Sequence, residues 1–215
     1  MSVIATAAHL ACIAIYDPID PGVFGKVYRI SESVCATAQI DGIFYVVCQG
    51  TENRDGWLAD FNCLPRPHPV LGNLHCGFYE NVPAMIAQLR GDIPDGIQIV
   101  VTGHSKGAGE ASILAPCLKL AGFNVVQSVL FACPQSGELQ FCNWIRANVP
   151  GISFRNAPSI CRALGDPVPD VPLLPYCQPY PWTYIDVPPG GMQCLVNVEW
   201  HMAKLYFQGV TAMFP

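Results

Sequence analysis

Residues 98–120 decide how the chain folds: Gln98-Ile99-Val100-Val101-Thr102-Gly103-His104-Ser105-Lys106-Gly107-Ala108-Gly109-Glu110-Ala111-Ser112-Ile113-Leu114-Ala115-Pro116-Cys117-Leu118-Lys119-Leu120. An apolar β-branched run gives way to a glycine-flanked serine and then to small and aliphatic residues, a succession that reads as strand, sharp turn and helix. Gly103-x-Ser105-x-Gly107 matches the pattern that sets a serine on a tight turn at the carboxyl end of a strand. The chain reverses so sharply there that a side chain at either glycine would strike the neighbouring strand or helix. A helix beginning just after Ser105 turns unbonded backbone N–H groups and the positive end of its dipole toward the serine, where a developing oxyanion would be stabilised. Five residues of common type carry little specificity alone; the strand before and the small-residue helix after supply it.

Outward from this unit, Tyr45-Val46-Val47-Cys48 is continuously apolar and reads as a central strand buried on both faces. Strands over 27–30 and 34–40 precede it, and Asp41-Gly42 forms a hairpin turn. Further strands are predicted over 125–132, 152–156 and 182–186, the last within a proline-dense stretch from 158 to 191 that wraps the surface as loops. Helices are predicted over 1–16, 77–90, 137–148 and 196–207, with Pro83 starting or kinking the second. Pro116 implies that the helix after Ser105 bends or ends early, and residues 64–73, with Pro65, Pro67, Pro69 and Gly72, read as a loop. Trp57, Leu58 and Phe61 recur at helical spacing, so 55–61 is a short amphipathic helix that either covers an apolar pocket as a lid or buries one face as an ordinary surface helix. Strands alternating with helices specify an α/β fold, a mostly parallel central sheet flanked by helices, in one domain over 1–215.

Of the 215 residues, 51% are hydrophobic and only 13% charged, which excludes a disordered chain. A net charge of −5 provides no basic patch for nucleic acid and disfavours attachment to anionic lipid. The 11 cysteines are odd in number and irregularly spaced, and Cys48, Cys117 and Cys133 lie in apolar runs, so they read as free thiols of a reducing compartment. No Cys-x-x-Cys pair supports a zinc or redox motif; bridges among Cys161, Cys177 and Cys194 stay open for an exported protein. Residues 1–16 have no Lys or Arg ahead of their apolar run, which points to a cytoplasmic protein, or to a secreted one whose leader has been removed.

Ser105 needs a base, and histidine suits neutral pH best. Among five histidines, His9 lies in the first helix, His68 in a proline-rich loop, and His104 inside the turn with its ring directed away from Ser105. His75 and His201 remain; His201 follows every strand, as the chain order Ser…Asp/Glu…His requires. For the carboxylate, Glu110 and Glu138 lie on helices and Asp186 ends the late strand, whereas Asp166 and Asp170 share a stiff loop just after the 152–156 strand, where catalytic groups of open α/β sheets gather. Asp166, between Gly165 and Pro167, is the favoured one.

Several segments together resemble the class 3 (fungal-type) lipases of the α/β-hydrolase superfamily: Val46-Val47-Cys48-Gln49-Gly50-Thr51, Asp55-Gly56-Trp57-Leu58-Ala59-Asp60, His75-Cys76-Gly77-Phe78-Tyr79, Val101 through Gly107, Phe131-Ala132-Cys133-Pro134, Gly165-Asp166-Pro167-Val168-Pro169, and His201 with Tyr206. Their occurrence in the right order, over residues 40 to 207, is far more specific than any one of them. The resemblance implies an α/β-hydrolase fold with a short lid helix around Trp57, Leu58 and Phe61. It implies catalytic Ser105, Asp166 and His201, an oxyanion hole from Thr51 and the Lys106 backbone, and a structural His75. The expected reaction is hydrolysis of acylglycerol or short-to-medium acyl esters by a serine carboxylester hydrolase, without metal or organic cofactor. Its partners would be a small-molecule or lipid ester and, transiently, a lipid interface. Phospholipids, thioesters and aromatic (feruloyl-type) esters are the alternative substrates, and a catalytically silent binding module is the alternative function. Lys106 and Ala108 stand where the family has an apolar residue and a second glycine, and Gln49 where it has an arginine; Lys106 would put a cation beside the pocket.

Overall fold

The computed structural model describes residues 1–16, 18–51, 64–172, 175–189 and 198–215. Helix α1 (Val3–His9), capped by the Ser2 hydroxyl, runs on through a wider-wound segment, Leu10–Ala14. Strands β1 (Lys26–Ile30), β2 (Ser33–Ile40) and β3 (Ile43–Cys48) then form an antiparallel meander. The β2–β3 turn is tight because Asp41 and Gly42 both take left-handed φ, 51° and 79°. From residue 64 onward come β4 (Pro65–His68), β5 (Gly72–His75), α2 (Cys76–Tyr79) and α3 (Val82–Leu89), the last with Pro83 in its first turn. The rest alternates: β6 (Gln98–His104), α4 (Lys106–Leu120), β7 (Val125–Phe131), α5 (Leu139–Asn148), β8 (Gly151–Asn156), β9 (Trp182–Ile185) and α6 (Ala203–Met213).

Among the described residues, seven strands make the main sheet in the order β1-β2-β3-β6-β7-β8-β9. Every pairing from β3 to β9 is parallel, so the sheet is mostly parallel, as the alternation of elements requires. Its central strands are apolar on both faces. Val46, Ile99, Val101 and Leu130 pack with Phe78, Met85, Leu114 and Phe141 from α2, α3, α4 and α5. Tyr45, Val47, Val100 and Phe131 face the other way, onto Leu10, Ala11, Tyr206 and Val210 from the two ends of the chain. No helix of the described residues is long and apolar enough to cross a membrane.

Three expectations are corrected. Residues 64–73, read as a loop, contribute to the two-stranded β4–β5 ribbon; among the described residues β4 pairs with β5 alone, so Pro65 and Pro67 on this edge strand are tolerated without an N–H. Pro116 neither ends nor divides α4, which continues to Leu120. Residues from Gly107 to Leu118 are all buried, and packing on every side outweighs one missing backbone bond. The terminal helix read over 196–207 is a 3-10 turn, Val198–His201, followed after the extended residue Met202 by α6. Two carbonyls that a continuous helix would use internally are taken elsewhere: that of Trp200 accepts from the Asn156 side chain and that of His201 bonds the His104 ring.

Candidate active site

The site lies at the carboxyl edge of the parallel strands, the place such sheets reserve for chemistry. Strand β6 ends at His104, and Ser105 takes φ 60° and ψ −131°, a backbone conformation rare for any residue with a side chain. The two flanking glycines make this turn possible. A Cβ on Gly103 would run into the Gly107 carbonyl, and one on Gly107 into the Cys48 carbonyl of β3. Ala108 and Gly109 N–H groups donate to the Ser105 carbonyl (2.9 and 3.2 Å), leaving the Lys106 N–H at the open end of α4.

Ser105, Asp166 and His201 meet in one hydrogen-bonded chain. Ser105 Oγ lies 2.7 Å from His201 Nε2, and His201 Nδ1 lies 2.8 Å from Asp166 Oδ2. A carboxylate accepts, so Nδ1 carries the proton and Nε2 is the acceptor of the serine hydroxyl. Asp166 is fully buried and has all its demands met: Oδ2 also accepts from the Tyr206 hydroxyl at 2.5 Å, and Oδ1 from the Val168 N–H at 2.9 Å. The Tyr206 oxygen in turn accepts from the Asn156 N–H at 3.0 Å, and burial beside Asp166 raises its pKa well above the ordinary phenol range. Asn156 closes the assembly, donating to the carbonyls of Val187 (2.9 Å) and Trp200 (3.1 Å) and accepting from the Val187 N–H (3.0 Å).

His104 stands behind this chain. Its Nδ1 lies 2.7 Å from the Tyr16 hydroxyl and its Nε2 3.0 Å from the His201 carbonyl, with the two imidazoles 4.8 Å apart between centroids. A carbonyl only accepts, so Nε2 donates and Nδ1 receives the Tyr16 proton. Thr51 is placed by register: Cys48 pairs with Gly103, and the chain leaving β3 passes the Ser105 turn so closely that a Cβ on Gly50 would sit 3.3 Å from that of Ser105. Gln49, at the family's arginine position, donates to the Ile15 carbonyl at 2.8 Å and ties this segment to the end of the first helix.

The remaining candidates are elsewhere or otherwise engaged. Asp170 forms a bidentate pair with Arg155, both contacts 2.7 Å. His75 is fully buried and stacked on Phe78, and desolvation lowers its pKa to about 4. His9 packs on Phe207, and His68 Nδ1 accepts the N–H groups of Val70 and Leu71. The Lys106 side chain turns toward Glu110 and the Glu32 carbonyl. Trp57, Leu58 and Phe61 lie outside the described residues. Cys161 and Cys177 are free thiols, as are Cys12, Cys35, Cys48, Cys76, Cys117, Cys133 and Cys142; Cys63 and Cys194 lie outside the described residues. Sequence reasoning passed over Tyr16, His104 and Asn156 as parts of the site. Only His104 carried a signal, its place inside the motif.

The family model described as lipase (class 3) matches residues 45–176, more than half of the chain. The chain belongs to the class 3 lipase family. Class 3 lipases are carboxylic ester hydrolases, and the match includes the Ser105 turn and Asp166 but stops short of His201, whose Nε2 the fold brings to 2.7 Å from Ser105 Oγ. The fold agrees. A fungal lipase superposes with a TM-score of 0.76 at 18% identity, covering 97% of this chain and 96% of that one. The lipase of Rhizopus microsporus var. chinensis gives 0.71 at 18% identity over 84% and 71% of the two chains. The triacylglyceride lipase of Rhizomucor miehei gives 0.67 at 17% over 86% and 78%. A sequence comparison with curated proteins finds no match.

Proposed function

We propose that this class 3 lipase hydrolyses carboxylic esters through an acyl-enzyme formed on Ser105. The observation that carries this reading is the continuous chain from Ser105 Oγ through His201 to a fully buried Asp166, at 2.7 and 2.8 Å. Ser105 Oγ attacks the ester carbonyl carbon while His201 Nε2 takes its proton; the same proton then goes to the departing alkoxide, which leaves as an alcohol. Water, deprotonated by His201, attacks the acyl-serine, and the serine regains its proton as the carboxylic acid departs. Asp166 keeps Nδ1 protonated and stabilises the imidazolium formed in each half-reaction. Tetrahedral oxyanions would be held by the Lys106 N–H with the N–H and hydroxyl of Thr51, each donor contributing about 3 kcal/mol.

Substrates consistent with this reading are acylglycerols or short-to-medium acyl esters, and the fungal neighbours named as triacylglyceride lipases favour the former. The Lys106 ammonium is turned away to Glu110 and the Glu32 carbonyl and does not crowd the serine, which favours catalysis over a silent binding module. The test is a panel of p-nitrophenyl and glyceryl esters run with wild-type and Ser105→Ala protein. Ser105→Ala is expected to lose about 10³-fold or more in turnover; unchanged turnover on p-nitrophenyl butyrate would overturn the assignment.

A further inference from the structure

Helix α4 lacks the usual device that fixes a first turn. Its N-cap is Ser105, which makes no capping bond to the helix because its Oγ faces His201. A different arrangement occupies the place of a cap. Lys106 Nζ lies 3.1 Å from the Glu32 carbonyl, in the turn between β1 and β2, and 3.5 Å from Glu110 Oε1, one turn along α4. Glu110 Oε1 also accepts from Ser33 Oγ at 2.6 Å, and Ser33 Oγ accepts from Asn81 Nδ2 at 2.9 Å. One lysine thus bridges the first residue of the helix, its second turn and the neighbouring strand pair.

Glu110 is costly where it stands. Its side chain is only 1% exposed, and Oε2 has no hydrogen-bond partner among the described residues. A buried carboxylate with one bare oxygen is worse for stability than an aliphatic side chain of similar volume. Stability therefore does not explain Glu110, and its neighbour Lys106 supplies an alternative.

We infer that Glu110 is a positioning residue: as the carboxylate it holds the Lys106 ammonium against the β1–β2 turn, and so fixes the first turn of α4, whose Lys106 N–H is the oxyanion donor. This rests on the reading of Ser105 as nucleophile. Protonation of Glu110 removes its half of the ion pair and leaves the Lys106 ammonium tied to the Glu32 carbonyl without its carboxylate partner. Among the described residues, the titratable or charged groups facing Glu110 are Lys106 from α4 and Cys48 from β3, with Cys35 of β2 against Cys48; Ser33 and Asn81 face it as neutral partners. Desolvation, opposed by Lys106 and Ser33, pushes the Glu110 pKa up to about 7, so the device changes state near neutral pH.

A donor that acts on the tetrahedral oxyanion affects kcat rather than KM. The experiment measures kcat and KM for p-nitrophenyl butyrate from pH 5.5 to 9 with the full chain and its Glu110→Gln, Lys106→Met and doubly substituted variants. Thermal unfolding of each is recorded alongside. Glu110→Gln is expected to lower kcat about tenfold at pH 8 with KM little changed, a displaced donor costing less than an absent one. It should also reduce the acid limb of the wild-type kcat profile, steeper than one proton, to a single-proton limb, while its Tm at pH 8 stays at or above wild type. Lys106→Met should lower kcat equally, and the double variant no further. Two results overturn the inference: an unchanged kcat profile in Glu110→Gln, or kcat and Tm falling together with the profile shape retained, which is the mark of a structural role. Failure of the nucleophile reading is separately visible, as wild-type protein that does not react with a fluorophosphonate and Ser105→Ala protein that keeps its turnover.

Discussion

Ser105 sits on a strained backbone turn. A left-handed φ of 60° on a residue with a Cβ costs about 1–3 kcal/mol and persists only because β3, β6 and α4 over-determine the turn. Ser105→Gly should therefore be more stable than Ser105→Ala by about 1 kcal/mol in urea titration, although both are inactive; equal midpoints would mean the turn is relaxed. Asn156 holds the segment that carries His201, through three side-chain bonds to Val187 and Trp200. Asn156→Ala is expected to lose about 3 kcal/mol of stability and to lower kcat/KM for p-nitrophenyl butyrate, without touching any reacting atom. Ser105, Asp166 and His201 were legible because a motif, a loop position and a chain order are properties of sequence. Tyr16, His104 and Asn156 were not: Tyr16 meets His104 across 88 positions and His104 meets His201 across 97, and nothing local encodes such contacts.

At the level of elements, periodicity located the strands to within a residue or two because their apolar runs are short and bounded by turn residues. It failed where tertiary contacts overrode local preference. Proline counted against a strand at 64–73 and against a continuous α4, yet an edge strand and a helix buried from Gly107 to Leu118 each accommodate it. The end of the chain shows the same effect in reverse. A helical pattern is interrupted at Met202 because the carbonyls of Trp200 and His201 are committed to Asn156 and His104, and that interruption sets the His201 ring between Asp166 and Ser105.

For the whole molecule, two buried groups give stability opposite dependences on pH. Glu110 keeps its proton up to about 7 in the folded protein, against 4.5 ordinarily, so between those values the folded state binds more protons and stability falls as pH rises, by about 3 kcal/mol. His75 resists protonation down to about 4, against 6.5 ordinarily, so in nearly the same window the unfolded chain binds more protons and stability falls as pH drops. The two slopes offset each other. Glu110→Gln removes one of them, and its Tm should rise more between pH 5 and pH 7.5 than that of the wild type; parallel curves would refute the assignment. The strand order has a kinetic counterpart. The β1–β2–β3 meander closes through short turns, but β3 meets β6 only after a loop of roughly fifty residues has been closed, and the Ser105 turn is wedged between those two strands. During refolding, labelling by a fluorophosphonate should therefore lag the recovery of far-ultraviolet circular dichroism, and simultaneous recovery would show that the turn forms early. On the proposed reading, an incompletely folded chain then carries an ordinary, unreactive serine, and nucleophilicity waits for the β3–β6 junction.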